Sequence, residues 1–555
     1  MQVLQQPLPS VTRPPARSLS WAAMLAAAVV AMPILAVVWI ALVDGDDSWR
    51  HVLTTVVPRA TGRTLQLLFL TGLVTGVVGI MTAWLVSAFD FPFRRTLSAV
   101  LVLPLAIPSY LAAYAFGEFF DFTGPLQSAY RALFGFQTSR DYWFPDIRSM
   151  GGAVLVLSSV LYPYVYLACR SMFLMQGRTA ADVARTLGAN PVRVFWRIQV
   201  PMARPAIMIG LTLVMMETMN DIGAVEFLGV NTLTFSVYST WLNRGSLAGA
   251  AQIASVMFIV VALLILLERK ARRSQRFSTN KTTTVVHDGV RARLTGGTAA
   301  AAIFVCAAPV ASGFLIPALV MGGFAVRRLD DYADPRLLDA LFNSVMVSSA
   351  AALAAVTLGF VLSYAARCDR SYGTTFAGRI ASLGYGVPGT VLAIGVLIPL
   401  AGFDNVLDGF LRSHLGVSTG LLLSGSGFAI VYACTVRFMT MAEGTLDAGF
   451  QKLSPHLDMA ARTLGRNQSQ TLRTILLPNM QPAMMTAALL VFIETMKELS
   501  ATILLRPFNL NTLATLVYED ASRAKIEDSS VAAMIIIAVG LIPVLLVSRG
   551  MDRRS

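Results

Sequence analysis

Residues 184–207 read ARTLGANPVRVFWRIQVPMARPAI, and residues 461–484 read ARTLGRNQSQTLRTILLPNMQPAM. Gly188 matches Gly465, Ile198 matches Ile475, Pro201 matches Pro478 and Pro205 matches Pro482, each pair 277 residues apart. The same offset carries Glu217-Thr218-Met219 onto Glu494-Thr495-Met496. A polar, proline-punctuated loop between apolar runs is no general property of membrane helices, so its repetition marks a duplicated membrane protein with two equivalent docking loops. Each copy has a local logic. Residues 180–187 favour helix, and Gly188 can take the positive φ that ends it. Asn190 is a good N-cap, with Pro191 at the first helical position. Val192, Phe195 and Ile198 recur at helical spacing as an apolar stripe. In the second copy Asn467 can cap, with Leu472 and Ile475 on the stripe. The expected product is two short helices with a bend, after which Pro201 and Pro205 break the chain before the next span.

The chain of 555 residues is 55% hydrophobic and 14% charged. A soluble protein carries about 25% charged residues, so most of this chain belongs in lipid. Twelve apolar runs approach the roughly 20 residues that a spanning helix needs: about 21–43, 65–89, 97–119, 151–174, 206–228, 249–267, 298–325, 341–366, 380–402, 419–441, 483–505 and 530–548. Lipid offers no partner to free backbone groups, so each run should be helical. The alternating pattern of an outer-membrane barrel is absent.

The net charge of +13 does not point to nucleic acid. Most Lys and Arg fall in alternate inter-span segments, as the positive-inside rule requires. The cluster Arg269, Lys270, Arg272, Arg273 and Arg276 follows the sixth run, and Arg553 and Arg554 follow the twelfth. Both termini are therefore expected in the cytoplasm. Arg13 and Arg17 precede an apolar stretch that begins at Trp21 and is too long for a signal peptide. The four cysteines and four histidines are scattered, with no metal-site or disulfide spacing.

The expected order is a cytoplasmic tail at 1–20, a first half at 21–267 with its loop at about 176–205, a linker at 268–297, a second half at 298–548 with its loop at about 453–482, and a tail at 549–555. The linker holds Ser278-Thr279-Asn280-Lys281-Thr282-Thr283-Thr284, a composition suited to a flexible connector. At an offset of 280, Gly79 matches Gly359, Pro108 matches Pro388, and Asn231-Thr232-Leu233 matches Asn511-Thr512-Leu513. Six spans per half is an even number, so the halves run parallel about an axis along the bilayer normal, and both loops face the cytoplasm.

The repeated loop resembles the EAA loop of the permeases of ABC importers: EAA, three residues, Gly, nine residues, Ile, then Leu-Pro. The copies here give Asp182-Val183-Ala184 with Gly188, Ile198 and Val200-Pro201, and Met459-Ala460-Ala461 with Gly465, Ile475 and Leu477-Pro478. The leading Glu is replaced by Asp182 in one copy and Met459 in the other, with Asp458 one place earlier. The resemblance implies an all-α integral membrane protein of about 12 transmembrane helices, arranged as two tandem six-helix type I ABC importer (MetI-like) permease halves. It implies coupling helices in which Asp182, Ala184, Leu187, Gly188 and Pro201, and Ala460, Ala461, Leu464, Gly465 and Pro478, serve the docking of two copies of a cytoplasmic ATPase subunit. The chain has no GxxxxGK[ST] phosphate loop. No cofactor is expected on it, ATP and Mg being bound by the partner, and the chain is expected to be a transport subunit, not an enzyme. A periplasmic substrate-binding protein and a bacterial inner-membrane location follow from the same resemblance.

Residues 494–507, ETMKELSATILLRP, and their counterpart ETMNDIGAVEFLGV at 217–230 are similar to the ferric-iron permeases. That resemblance implies Fe(III) as cargo. The residues offer their own argument. Glu217 and Asp221 lie four apart, hence on one helix face, and Glu494 and Glu498 repeat the arrangement. Carboxylates in a span usually face a cavity or a partner, and hard cations prefer oxygen ligands. Transient Fe(III) contact is expected at Glu217, Asp221, Glu494 and Glu498, with Lys497 beside the path neutralising one acid. Helix-to-helix bonding is the competing reading of the same acids. Tyr110, Tyr114 and Tyr130, and Met215, Met216, Met219, Met484, Met485 and Met496, are weaker candidates, better read as interfacial tyrosines and helix filler. Thiamine, polyamine, sulfate and phosphonate permeases share the loop. An ion-coupled secondary transporter would explain the acids and the duplication but not the loops.

Overall fold

The computed structural model describes residues 17–43, 50, 52–175, 188, 190–273, 292–369, 371–381, 384–454 and 456–552. Among these, nine helices are long and apolar enough to cross a membrane, and a bent pair makes a tenth. All twelve apolar runs are largely helical, but three differ from a simple span. The run at 97–119 is the bent pair: Arg94–Ala106 and Ser109–Phe134 meet at 96°. Pro108 sits at the corner with φ −58° and ψ 143°, and Ile107 before it is extended, as a residue preceding proline prefers. The run at 380–402 breaks the same way, its long helix Gly389–Leu415 starting after Pro388 at φ −59° and ψ 142°. The run at 419–441 becomes helix only at Phe428. Gly416 and Gly420 take positive φ there, and the turn is held by Asp404, which accepts from Ser424 N at 2.8 Å and Ser424 Oγ at 2.7 Å.

The expected break at Pro201 and Pro205 does not occur. One helical stretch runs from Pro191 to Asn220, and its counterpart from Gln468 to Met496. Each contains a π-turn, Phe195–Gln199 and Leu472–Leu476. In each, the backbone amide just before the proline reaches five residues back, Val200 to Phe195 and Leu477 to Leu472. A proline lacks that donor and collides with the carbonyl four residues back. The widened turn re-routes the ladder just ahead of it, so the helix continues. The same device precedes Pro58 and Pro317, after π-turns at Val52–Val56 and Ala311–Leu315.

The chain forms two compact units. One comprises residues up to Leu35 with Ser348–Gly386 and Val431–Thr495. Within it the first helix, Arg17–Val43 up to Leu35, lies on second-half residues: Tyr432 donates to Val29 O at 2.5 Å and Ser20 donates to Asp369 at 2.8 Å. The other comprises Ala36–Val347, Val387–Ile430 and Met496–Ser555. Within it the helices that open the second half, Gly296–Val310 and Ile316–Arg327 with the π-turn between them, pack on first-half residues and on the closing helix Ser530–Asp552. Gly313 approaches so closely that an added Cβ would stand 2.0 Å from Ser159 O. Each half's opening helices thus pack at least partly on residues of the other half. Small residues make such approach feasible where lipid supplies no hydrophobic drive. The helix Leu247–Arg273 runs into the expected linker at 268–297, and Ala292–Arg293 pairs in parallel with Phe89–Asp90. The part of it between those elements lies outside the described residues.

The glycines matched at an offset of 280 perform the same task. A Cβ on Gly79 would lie 2.7 Å from Val165 Cβ and 2.9 Å from Tyr166 N, and one on Gly359 would lie 3.1 Å from Glu443 N. Likewise Leu233 N donates to Thr64 Oγ1 at 2.9 Å, and Leu513 N donates to Ser344 Oγ at 2.7 Å. Gly79→Ala must push two helices apart, at about 1–3 kcal/mol, against about 1 kcal/mol gained in helix propensity. Thermal unfolding in detergent should show Gly79→Ala destabilised and Gly359→Ala close to wild type. Equal losses would mean that the two contacts are not graded by their clearance.

Candidate functional site: two docking loops and two broken helices

The second loop is described almost throughout. His456–Thr463 is helical and Gly465 turns the chain at φ +77°. Asn467 then caps Gln468–Thr471 in a reciprocal box, accepting from Gln470 N at 2.8 Å while its own amide donates to Gln470 Oε1 at 3.0 Å. Met459 and Leu464 stand 50% and 78% exposed, and Ala460 is also outward. Ala461 faces inward at 2% exposure, so it packs the loop on its own half. Met459 on this helix and Leu464 just beyond it thus leave apolar surface outward. In the first loop, Asp182, Ala184 and Leu187 lie outside the described residues. Gly188 has φ +81°, and Asn190 accepts from Arg193 N at 2.8 Å to cap a helix that starts at Pro191. The inward residues are Val194 and Phe195, while Val192 is exposed. The Phe195 ring lies 4.4 Å from that of Trp84. Pro201 and Pro478 open the long helices Val200–Asn220 and Leu477–Met496.

Those two helices end where the sequence placed the acids. Glu217 is half-buried in the last turn of Val200–Asn220, and Asp221 is already extended at ψ 122°. The two therefore do not share a helix face. The Asp221 carboxylate turns instead to the next element: one oxygen accepts from Ala224 N at 2.7 Å, and the other accepts from Ser109 Oγ. Glu498 repeats this after Met496, accepting from Ala501 N at 3.1 Å. Both are buried, at 7% and 5% exposure. They satisfy amides that a broken helix leaves open. Glu494 occupies the position of Glu217, and Lys497 lies just beyond the helix end, both half-buried. Among the described residues no three His, Cys, Asp or Glu side chains gather closely enough to hold a metal ion.

Around these ends the structure adds residues that the sequence reading passed over. Asn220 accepts from Gly389 N at 2.6 Å through its side chain and from Ser500 Oγ at 2.8 Å through its carbonyl. Gly223 lies against Tyr110 and Leu499, where a Cβ would come within 2.6 and 2.8 Å. The hydroxyls of Tyr238 and Tyr518 lie 3.1 Å apart, and Tyr518 donates to Glu226 at 2.7 Å. Tyr238 and Tyr518 stand 280 residues apart, so extending the Asn-Thr-Leu match by five residues would have found them. Tyr110 and Tyr114 are core residues, 5% and 2% exposed. Tyr130 belongs to an aromatic cluster with Phe134, Phe136 and Tyr142. Beside that cluster Leu133 and Trp143 stand 78% and 86% exposed. A cleft of about 480 Å³ nearby is lined by residues including Glu118, Asp121, Asp146 and Arg148.

Duplicated loops that present capped helices, on a duplicated bundle of membrane helices, define a two-half transport subunit. A family profile described as "binding-protein-dependent transport system inner membrane component" matches residues 75–273 and again 355–555. The chain belongs to that family, the multi-pass inner-membrane permease subunits of ABC importers, which work with a periplasmic binding protein and ATPase partners and are not enzymes. It is 25% identical over 486 residues to the Fe(3+)-transport system permease protein FbpB 2 of Haemophilus influenzae, covering 85% of this chain and 86% of that protein. It is 28% identical over 234 residues to the putative 2-aminoethylphosphonate transport system permease protein PhnU of Salmonella choleraesuis, covering 41% of this chain and 80% of that one. It is 25% identical over 254 residues to the sulfate transport system permease protein CysT of Escherichia coli, covering 45% and 88%.

The capping geometry makes a prediction. Asp221→Ala strands a buried amide and a hydroxyl, which costs about 1–3 kcal/mol, while Asp221→Asn keeps an acceptor for Ala224 N. Thermal unfolding should therefore rank wild type, Asn and Ala in falling order. An Asn variant as unstable as the Ala variant would assign the role to charge and not to capping.

Proposed function

We propose that this chain is the fused transmembrane subunit of an importer that moves ferric iron, delivered by a periplasmic binding protein, across the inner membrane. The observation that carries the cargo is the extent of similarity to the Fe(3+) permease, which runs through both halves, where the phosphonate and sulfate permeases match about half the chain. The half-length relatives keep a second reading alive, in which the same architecture carries a small anion. Carboxylates at the ends of both broken helices argue against it, because an anion would be repelled where a hard cation is attracted. The division of labour we infer gives Glu217 and Glu494 the cargo contact, with Lys497 tempering the second site. Asp221 and Glu498 shape the path by holding the helix breaks. Two ATPase subunits dock, one at Asp182, Ala184, Leu187 and Gly188 and one at Ala460, Leu464 and Gly465, and bring the ATP and Mg that this chain does not bind. Pro201, Pro478 and Ala461 set the loops on the bundle. The halves are assigned to 21–267 and 298–548, joined by a cytoplasmic linker, with both termini cytoplasmic. That orientation puts the stretch 120–150 outside, where exposed Trp143 and Leu133 beside the acidic cleft suit a binding-protein surface.

The first test is uptake of labelled ferric iron, with labelled thiamine and phosphonate alongside, in cells with and without the gene. Loss of iron uptake alone is expected, and loss of another solute alone would discard the cargo while keeping the loops. Glu217→Gln combined with Glu494→Gln should reduce iron uptake to background with ATPase co-purification unchanged, and undiminished uptake would remove both acids from the path. Trp143→Ala should weaken binding-protein association about tenfold. Unchanged association would move the docking surface elsewhere.

A further inference from the structure

The two docking loops are repeated in sequence but not in how they are fastened. In the second half, Arg367 stands one residue from the end of the helix Pro335–Cys368. Its guanidinium reaches the loop by four bonds: to Asp458 Oδ2 at 3.1 Å, Phe450 O at 3.0 Å, Leu453 O at 3.3 Å and Ser454 O at 3.2 Å. It also lies 5.7 Å from the centre of the Phe450 ring. The three carbonyls belong to the end of the helix Phe428–Lys452 and the turn after it, where orphan acceptors are expected. Asp458 lies in the first turn of the docking helix His456–Thr463. The pair is largely shielded, at 11% and 17% side-chain exposure, so water competes for it weakly. Next door, Gln468 at the start of the loop's second helix donates to Cys368 Sγ at 3.5 Å. Both arms of the loop are thus tied to the last turn of one membrane helix.

At the matching sequence positions the first half carries different residues. At the offset of 280 that relates Gly79 to Gly359, Arg367 corresponds to Ser87 and Cys368 to Ala88. At the loop's offset of 277, Asp458 corresponds to Ala181 and Gln468 to Pro191. At those matched positions neither the guanidinium nor its carboxylate is present, and neither the donor amide nor its acceptor; the first loop's acid is Asp182, one place further on. The Ser87 hydroxyl is buried with no hydrogen-bond partner among the described residues. Asp458 is the residue one place ahead of the position where the loop's usual Glu gives way to Met459.

We propose that Arg367 is a positioning residue that rigidly couples the second docking loop to its membrane half, and that the two loops are mechanically unequal. The second loop transmits displacement of its ATPase subunit directly into the helix Pro335–Cys368, a link that the first-half residues at the matching positions, Ser87 and Ala181, cannot form. The inference rests on the reading of both loops as ATPase docking sites. A fork of donors suits this role because guanidinium geometry fixes orientation as well as distance, and a Lys in its place would be a single point charge.

The test uses the full complex of this chain with its ATPase, carrying a photo-crosslinking residue at Leu464 or at its first-loop counterpart Leu187. In Arg367→Ala, crosslinking from position 464 to the ATPase should fall about tenfold, as expected for loss of several charge-assisted bonds. Crosslinking from position 187 should stay within about twofold, a difference small enough to lie inside ordinary mutational scatter. Cargo moved per ATP hydrolysed should fall with the first signal, and Arg367→Lys should restore part of both. Unchanged crosslinking at 464, or an equal fall at both positions, overturns the proposal. If Arg367→Ala does not yield folded complex, Asp458→Asn removes the charge at constant size and must show the same loop-selective fall. Its absence there overturns the proposal equally. The crosslinking readout needs no cargo, so a wrong cargo assignment leaves it legible. Absence of crosslinks at both positions in the wild type would instead overturn the docking reading itself.

Discussion

A bilayer gives no water to an open backbone group, and this chain breaks its helices inside its apolar runs. Everything near the proposed path follows from how those breaks are satisfied. Asp221 and Glu498 take up the amides of Ala224 and Ala501, and Asn220 takes up the amide of Gly389. An uncompensated break would cost several kcal/mol per group in hydrocarbon, more than any single packing contact returns. The acids are thus first a solution to a backbone problem. Cargo chemistry, on the reading proposed, falls to Glu217 and Glu494, whose neighbouring acids are already committed to capping.

The duplication preserves backbone devices more faithfully than side-chain chemistry. Both halves keep the proline corner at 108 and 388, the π-turn ahead of a proline, the positive-φ glycine of the loop and the tight glycine at 79 and 359. Each of these fixes a chain direction, and a changed direction would shift every helix beyond it. Polar residues vary because they need only satisfy their own surroundings: Asn220 stands where Lys497 does, and Ser87 where Arg367 does. Tyr238 and Tyr518 are an exception with a reason. They occupy equivalent positions and touch each other, so each is its partner's environment.

The sequence disclosed those features whose cause is local. Gly188, Asn190 and Asn467 act within a few residues of themselves, and the structure shows each in the role its residue type implies, while the matched Pro108 and Pro388 prove to be corners. Pro201 and Pro205 misled because their effect depends on how the turn before them relaxes, and a π-turn absorbs what would otherwise end the helix. The shared face of Glu217 and Asp221 misled for the opposite reason: the helix stops at Asn220 with no proline or glycine at the stopping point. The exchange of opening helices was hidden as well. It depends on contacts such as Tyr432 with Val29, 403 residues apart, and hydropathy says nothing about which neighbour a span chooses.

That exchange bears on how a fused chain differs from two separate subunits. The first helix up to Leu35 joins a unit otherwise made of second-half residues, and the helices opening the second half join a unit that combines most of the first half with parts of the second. Each unit thus draws on both halves of the sequence. Two separate subunits would have to find this arrangement by association, whereas a covalent linker supplies a high effective concentration and a fixed pairing. Fusion also lets the halves diverge, because a given half always meets the same partner and never a copy of itself. An arginine at 367 where the first half has Ser87, and a lysine at 497 where it has Asn220, are changes that such a permanent pair can keep in register.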